Sequence, residues 1–236
     1  RAQPREVERT RRGRGEARDL RRRRITLYVP PMTTSFKLYY TPTSCGAANY
    51  LAATIGGLEF DSEVVDLAKH QTKSGKDFYA INPKGNVPAI VFADGSMLNE
   101  NVATLTFLAD QGNAGLAPQE GTTERYAYLN DLGFVTSELH PAYGALFNPK
   151  LSTEAREAAM ANVQRRVDKF VGMLDGGKKP FLNGKSLSAA DLYAFIVLGW
   201  SGFLKVTLPS AAQGYVDALK ADPRIESAQA AMTAAQ

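Results

Sequence analysis

The first apolar segments of the chain alternate with turn residues at short spacing. Residues 36–40 form an aromatic and aliphatic run that ends at Thr41-Pro42, a pattern typical of a strand that stops at a turn. An alanine-rich stretch at residues 45–55 predicts a helix, and a second strand is predicted at residues 60–65. A strand-helix-strand crossover of this length predicts parallel pairing of the two strands.

The following segment predicts a hairpin and a further helix. A short helical stretch is expected at residues 77–81, and two apolar runs at 89–92 and 96–98 flank the turn Ala93-Asp94-Gly95. An amphipathic helix is then predicted at residues 100–110. The order βαβ followed by ββα predicts a thioredoxin-like α/β domain over residues 35–112.

Strand signals are absent after residue 122, and helical periodicity replaces them. Residues 111–121 contain three glycines and a proline, so the segment 113–121 is predicted to be a linker. Residues 122–236 are predicted to form an all-helical bundle domain. Ser188-Ala189-Ala190-Asp191 has the form of a capping box at the start of a buried helix. The predicted helices cover residues 124–139, 153–174, 188–204, 211–220 and 224–235.

Charge is distributed very unevenly along the chain. The formal net charge is +4, but residues 1–31 contain eleven arginines and four acidic residues, so the remainder is mildly acidic with 17 basic and 20 acidic side chains. Residues 1–34 have no apolar periodicity and are predicted to be a disordered basic leader. Three interpretations of it stay open: a nucleic-acid-binding arm, an organelle transit segment, or an extension without a structural role upstream of a start at Met32.

Composition narrows the class of protein. Of the 236 residues, 44% are hydrophobic and 22% are charged, which is typical of a soluble globular protein. A single cysteine excludes an intramolecular disulfide, and no apolar run is long enough for a membrane helix. We expect a cytoplasmic protein that binds neither membranes nor nucleic acid.

The single cysteine lies where a nucleophile could be activated. Cys45 follows a strand and a proline turn, and it begins a helix whose positive dipole end would stabilise a thiolate. A lone cysteine is also commonly a small buried hydrophobic residue. Tyr40 and Ser44 are close enough in sequence to donate hydrogen bonds to a sulfur atom of Cys45 or of a bound thiol.

Two further positions could bind a peptide-like ligand. Val87 precedes Pro88 at the start of a predicted strand, and a cis proline there would offer the Val87 backbone for antiparallel pairing. Glu100 and Asn101 begin the next helix and could bind a carboxylate and an ammonium group, although a simple helix cap explains them equally well.

Six motifs of the chain occur together in one order and spacing. They are Tyr39-Tyr40-Thr41-Pro42-Thr43-Ser44-Cys45, the run from Ser74 to Ala89, Leu98-Asn99-Glu100-Asn101-Val102-Ala103, Ser137-Glu138-Leu139-His140, Tyr143 to Phe147, and Leu187 to Phe195. In these motifs the chain resembles the cytosolic glutathione transferases, in particular the cysteine-bearing beta class of bacteria or a fungal relative of it. The resemblance covers residues 36 to about 230 and excludes the leader.

The resemblance implies a homodimer that uses glutathione as cosubstrate and needs no metal. It implies that Cys45 lies beside the glutathione sulfur or forms a mixed disulfide with it, and that Val87, which precedes Pro88, pairs with the cysteinyl backbone. It also implies that His140 lies near the sulfur and the glycyl end. Glu100 and Asn101 would hold the γ-glutamyl end. A pocket for an apolar electrophile would be lined by Tyr143, Phe147 and Trp200.

Three positions depart from the family pattern. His70, beside Lys69, stands where beta enzymes carry a lysine that holds the glycyl carboxylate. Gly133 replaces a usual asparagine, and Pro141 replaces the lysine that normally follows the histidine. We therefore expect glutathione to bind with altered affinity or altered chemistry.

The expected activity is addition of glutathione thiolate to a small apolar electrophile. One alternative is a glutathione-dependent thiol-disulfide oxidoreductase in which Cys45 attacks a mixed disulfide. Another is a non-catalytic glutathione-binding module. The sequence leaves these three hypotheses open.

Overall fold

The computed structural model describes residues 35–236, which begin with a five-stranded mixed sheet. Strand β1 (Phe36–Tyr40) pairs in parallel with β2 (Asp61–Asp66) and antiparallel with β4 (Ala89–Phe92). The short strands β3 (Gln71–Thr72) and β5 (Met97–Leu98) form the two edges. The parallel pairing predicted from the crossover is confirmed, whereas the predicted disordered leader lies outside the described residues.

Two helices pack on the sheet to complete the thioredoxin-like fold. Helix α1 (Gly46–Ile55) connects β1 to β2, and its first eight residues are buried. Helix α2 (Asn101–Gln111) follows the hairpin and packs against α1. The predicted strand-helix order is therefore confirmed.

One predicted element of this half is wrong. Residues 77–81 form turns and not a helix, because the Asp77 carboxylate accepts a hydrogen bond from the Tyr79 N–H at 3.0 Å and Asp77 also bridges to Gln71. The strand that contains Gln71 was not predicted, since two polar residues carry no alternation signal.

The remaining chain is helical and shares one continuous apolar core with the first half. A buried capping box, as predicted, begins the central helix α6, in which the Ser188 and Asp191 side chains each bond the other's backbone N–H. The helices are α3 (Thr123–Phe134), α4 (His140–Gly144), α5 (Thr153–Met173), α6 (Ala189–Leu204), α7 (Ser210–Lys220) and α8 (Pro223–Ala234).

The helix predicted at residues 124–139 is not a uniform α-helix. After α3 the chain continues as a π-helix over Val135–Leu139 and enters α4 directly at His140. A π-turn is wider than an α-turn and is frequent at functional sites.

No helix within residues 35–236 combines the length and hydropathy required to cross a membrane.

Candidate active site

The loop between β1 and α1 places Cys45 at the first turn of the helix. Ser44 Oγ donates to the Thr41 carbonyl at 2.9 Å and accepts from the Gly46 N–H at 3.1 Å. Thr41 Oγ1 donates to the Val65 carbonyl of β2 at 2.6 Å. These bonds fix the loop against the sheet, so the position of the Cys45 sulfur is determined by the backbone on both sides.

The Cys45 side chain is a buried thiol. Its relative exposure is 8%, and Sγ lies 3.4 Å from the Val87 carbonyl, to which the thiol donates. Burial raises the pKa of this thiol above its ordinary value, while hydrogen bonds from Asn101 and from the helix N-terminus act in the opposite direction. Burial of Cys45 thus opposes the thiolate that the helix dipole would favour.

Val87 and Pro88 lie directly across from Cys45, at the beginning of β4. The peptide bond between them is cis, which is the isomer assumed for antiparallel pairing of a ligand with the Val87 backbone. The Val87 side chain is buried in a small apolar cluster with Tyr39 and Phe78 beneath the sheet. The Val87 carbonyl thus faces the first turn of α1 and lies next to the only cysteine of the chain.

The N-terminus of α2 provides unpaired backbone donors. Glu100 is its N-cap residue and makes no side-chain cap, so the first N–H groups of the helix have no side-chain acceptor there. The Glu100 carboxylate pairs instead with Lys84 Nζ at 2.7 Å. Lys84 was not predicted as a site residue, because only the fold brings its loop beside Glu100.

Asn101 has a different orientation from the one expected. Its side chain points inward, where Oδ1 accepts from Asn49 Nδ2 at 2.8 Å and Nδ2 donates to the Tyr193 hydroxyl at 3.3 Å. The backbone of Asn101 lies at the helix N-terminus, but its side-chain amide is engaged in the interior. A direct role for this amide in holding a γ-glutamyl group is not favoured.

His70 is held in a tight loop beside the sheet. Its backbone is in the left-handed region at φ 48°, and its ring lies against Tyr79 with centroids 4.3 Å apart. The Nδ1 atom of His70 is buried and has no hydrogen-bond partner among the described residues. It lies close to Gly85, and a Cβ atom added at Gly85 would come within 2.5 Å of the Tyr79 ring. The neighbouring Lys69 is exposed, with Nζ 3.5 Å from Asp66.

The π-helix delivers His140 to the boundary between the two halves. Its Nδ1 lies 2.5 Å from the Tyr193 hydroxyl, and its ring centroid lies 5.0 Å from that of Trp200. Burial lowers the pKa of His140, so the imidazole is neutral at neutral pH. Sequence reasoning missed Tyr193 as a site residue, since a tyrosine inside an apolar helix carries no such signal.

A row of aromatic rings extends from His140 to the surface. Trp200 packs edge-on against Phe147 at 5.2 Å, and Phe147 stacks on Phe203 at 6.3 Å. Phe147 is 44% exposed and Phe203 is 79% exposed, so the row is open to solvent at its outer end. Phe203 was not predicted, because only the fold places its ring beside Phe147.

Two predicted site residues are not brought to this surface. Tyr40 is fully buried, its hydroxyl has no partner among the described residues, and burial raises its pKa to about 12. Tyr143 is also fully buried, and its hydroxyl lies 2.6 Å from Ser201 Oγ. Both side chains are core residues behind the site, which is the ordinary role of an aromatic residue at helical spacing.

Comparisons with known proteins identify the family of the chain. A family model described as "Glutathione S-transferase, N-terminal domain" matches residues 49–111. The glutathione S-transferase GstA of Escherichia coli O157:H7 is 31% identical over 173 residues, which cover 73% of this chain and 85% of that protein. The chain belongs to the glutathione S-transferase family.

Solved structures extend the likeness to the three-dimensional level. A sphingomonad glutathione S-transferase complexed with glutathione superimposes on this transferase with a TM-score of 0.77 at 35% identity, over 84% of this chain and 98% of that one. A bacterial beta-class enzyme of Sphingomonas chungbukensis gives a TM-score of 0.75 at 36% identity, over 83% and 98%. This transferase therefore has the glutathione transferase fold and is similar to the beta class.

The described residues include main-chain groups that could pair with a peptide-like ligand. Within residues 35–236 there is no cluster of three or more His, Cys, Asp or Glu side chains able to hold a metal ion. The Val87 backbone lies across from Cys45, and the N-terminus of α2 has backbone N–H groups without a side-chain cap. A peptide with a negatively charged end could pair with groups of these two kinds.

Proposed function

We propose that this transferase binds glutathione across the N-termini of α1 and α2 and adds its thiolate to small apolar electrophiles. The observation that carries the proposal is that the Cys45 thiol contacts the Val87 carbonyl, while Trp200, whose ring lies against His140, donates to the loop that carries Cys45. The Val87 backbone would pair with the cysteinyl residue of the tripeptide. Its sulfur would then lie at the first turn of α1.

The proposed reaction needs no redox partner. For a chlorinated nitroaromatic, the sulfur of the thiolate forms a bond to the ring carbon and chloride leaves with the bonding pair, while the thiol proton passes to water. The enzyme contributes donors that favour the thiolate and holds the two reactants together. The positive end of α1 and the neutral imidazole of His140 are the donors we assign to that task.

The aromatic row is the proposed seat of the electrophile. Trp200, Phe147 and Phe203 form a path from His140 to solvent, and aromatic faces bind flat apolar molecules well. That Phe147 and Trp200 line the electrophile pocket stays a proposal, and we propose that Phe203 lines it as well. Tyr143 supports this wall from behind, with its ring 6.3 Å from that of Trp200.

The thiol of Cys45 favours conjugation over thiol-disulfide exchange. An oxidoreductase needs an accessible thiolate, whereas the Cys45 residue is 8% exposed and burial raises the pKa of its thiol. Cys45→Ala should therefore retain conjugation to within about tenfold of the wild-type kcat, since its removal costs only one weak hydrogen bond donor. Loss of all conjugation in a folded Cys45→Ala protein would contradict this assignment.

The test is a conjugation assay on both proteins. Product formation from a chlorinated nitroaromatic is followed with and without glutathione, and release of glutathione from a mixed disulfide is measured in parallel. Wild type and Cys45→Ala should both conjugate. Failure of the wild type on several electrophiles and on the mixed disulfide, with glutathione still bound, would leave only the binding-module hypothesis.

We also propose that this transferase is a cytoplasmic homodimer. Val102 on α2 and Tyr126 on α3 are large apolar side chains exposed at 37% and 67%, which is expected of residues covered in an assembly. Light scattering coupled to size-exclusion chromatography gives the mass directly. A mass of one chain at micromolar concentration would contradict the dimer.

A further inference from the structure

Four polar side chains from four different segments form a hydrogen-bonded chain beneath the candidate site. Asn49 of α1 bonds to Asn101 of α2 at 2.8 Å, Asn101 bonds to Tyr193 of α6 at 3.3 Å, and Tyr193 bonds to His140 at 2.5 Å. Asn49, Asn101 and Tyr193 are all buried, whereas the His140 side chain is partly accessible. The chain thus runs from the interior of the first half to an accessible imidazole in the second.

The donors and acceptors of this hydrogen-bonded chain run in one direction. Asn49 Nδ2 donates to Asn101 Oδ1, so the amide oxygen of Asn101 faces Asn49. The Nδ2 group of Asn101 faces the Tyr193 hydroxyl and donates to it.

The same direction continues through the tyrosine. The Tyr193 hydroxyl accepts from Asn101 Nδ2, so its own proton is free for His140 Nδ1. Burial holds the pKa of Tyr193 far above its ordinary value, so the phenol keeps that proton at every physiological pH. Nδ1 of His140 must then be an acceptor, and the single proton of the neutral ring resides on Nε2.

We propose that Tyr193 is a positioning residue of the transfer reaction, which holds His140 as the neutral Nε2–H tautomer with Nε2 turned away from Tyr193. The imidazole then presents an N–H donor on its accessible side. A hydrogen bond from this N–H group to the sulfur atom of a bound thiol would stabilise the negative charge of the thiolate. The role in the reaction rests on the proposed function, but the tautomer does not.

The primary test measures the tautomer by NMR. The chain has only two histidines, His70 and His140, so ¹⁵N-histidine labelling gives two imidazole patterns, and His140→Gln assigns them. In the wild type, His140 should show an unprotonated Nδ1 and a protonated Nε2 at neutral pH. In Tyr193→Phe, both nitrogen shifts should move toward the averaged values of a free imidazole.

Kinetics test the role in the reaction. Tyr193→Phe should lower kcat about tenfold while KM for glutathione changes by less than about twofold, because the lost hydrogen bond acts through His140 and not on the tripeptide backbone. In a His140→Gln background the same substitution should have no further effect on kcat. An equal loss of kcat in both backgrounds would overturn the proposal.

Tyr215→Phe is the matched control. It also removes one buried hydroxyl, which bonds to Asp191 at 2.8 Å away from the site. It should lower stability but leave the His140 shifts and the kcat of folded protein unchanged. A control that shifts His140 as much as Tyr193→Phe does would show a general packing effect and overturn the proposal.

The outcomes separate the inference from the proposed function. Unchanged His140 shifts in Tyr193→Phe overturn the positioning role, whatever the kinetics show. A wild type that conjugates nothing overturns the proposed function and the kinetic role with it. The NMR result in that case still decides whether Tyr193 sets the tautomer of His140.

Discussion

The indole Nε1 of Trp200 donates a hydrogen bond to the main-chain carbonyl of Thr43 at 3.0 Å. This bond joins α6 of the helical half to the loop that carries Cys45. Trp200 also contacts the rings of His140 and Phe147, so one side chain links the loop, the imidazole and the aromatic row. The geometry of the candidate site therefore depends on how the two halves are packed together.

Replacing Trp200 should loosen the Cys45 loop. Trp200→Phe keeps an aromatic ring but removes the donor to Thr43, a loss of about 1 kcal/mol for a partly exposed hydrogen bond. We expect the rate of Cys45 modification by an aromatic disulfide reagent to rise about fivefold, in proportion to that free energy. Because Cys45 is the only cysteine, the released chromophore reports this site alone.

The control for this experiment is Lys178→Ala, which alters an exposed ion pair with Asp175 elsewhere in the helical half. Its modification rate should equal that of the wild type. A Trp200→Phe protein with an unchanged rate would show that the Thr43 bond does not restrain the loop.

Stability in acid should depend on Glu63. Burial would raise the pKa of this carboxyl, but hydrogen bonds from Lys37 at 2.5 Å and from the Ser74 N–H at 3.1 Å lower it from 4.5 to about 2. A folded-state pKa below the unfolded value gives stability that is present above the unfolded pKa and lost as pH falls toward the folded one. We expect the Lys37–Glu63 pair to contribute about 2 kcal/mol to the free energy of unfolding at neutral pH. This contribution should disappear as the pH falls from the unfolded pKa toward the folded one.

Urea unfolding across the acid range measures this contribution. Glu63→Gln removes the titrating charge, so its free energy of unfolding should change less between the two pKa values than that of the wild type. Parallel curves for the two proteins would contradict the assignment of the low pKa to Glu63.

The capping residue Asp191 should be far more costly to remove than an exposed cap. Its carboxylate accepts from the Leu182 N–H, the Ser188 N–H and the Tyr215 hydroxyl, each at 2.8 Å, and it is fully buried. Asp191→Ala leaves several buried donors without an acceptor, a loss of about 3 to 5 kcal/mol.

Ser152→Ala is the matched exposed cap. Ser152 Oγ accepts from the Ala155 N–H at 3.2 Å at the start of α5, in contact with solvent. Its removal should cost about 1 kcal/mol in urea unfolding. Equal losses for the two variants would show that burial of Asp191 adds nothing to its cap.

The regular elements were predictable because their periodicity is strong and their ends carry chemical signals. The parallel pairing of β1 and β2 was predictable from the length of the crossover that connects them. The start of α6 was predictable from the capping box of Ser188 and Asp191. The turns at residues 77–81 were mistaken for a helix, since the bond from Tyr79 N–H to Asp77 competes with helix formation and has no periodic signature.

The candidate site was predictable only in part, because its polar contacts depend on tertiary packing. Cys45, Val87 and His140 are marked by their positions beside turns and prolines. The inward orientation of Asn101 and its bond to Tyr193 join residues 92 positions apart, which no local pattern reports. The burial of Tyr40 and the exposure of Phe203 likewise follow from which helices meet and not from residue type.

Ultraviolet absorbance can show whether glutathione is bound as a thiolate at the first turn of α1, as we propose. The measurement is made on Cys45→Ala, which contains no thiol of its own, so any thiolate band belongs to the ligand. This band should develop at neutral pH as glutathione saturates the protein. A band that develops only near the pKa of free glutathione, in protein that has bound the tripeptide, would contradict the proposed thiolate.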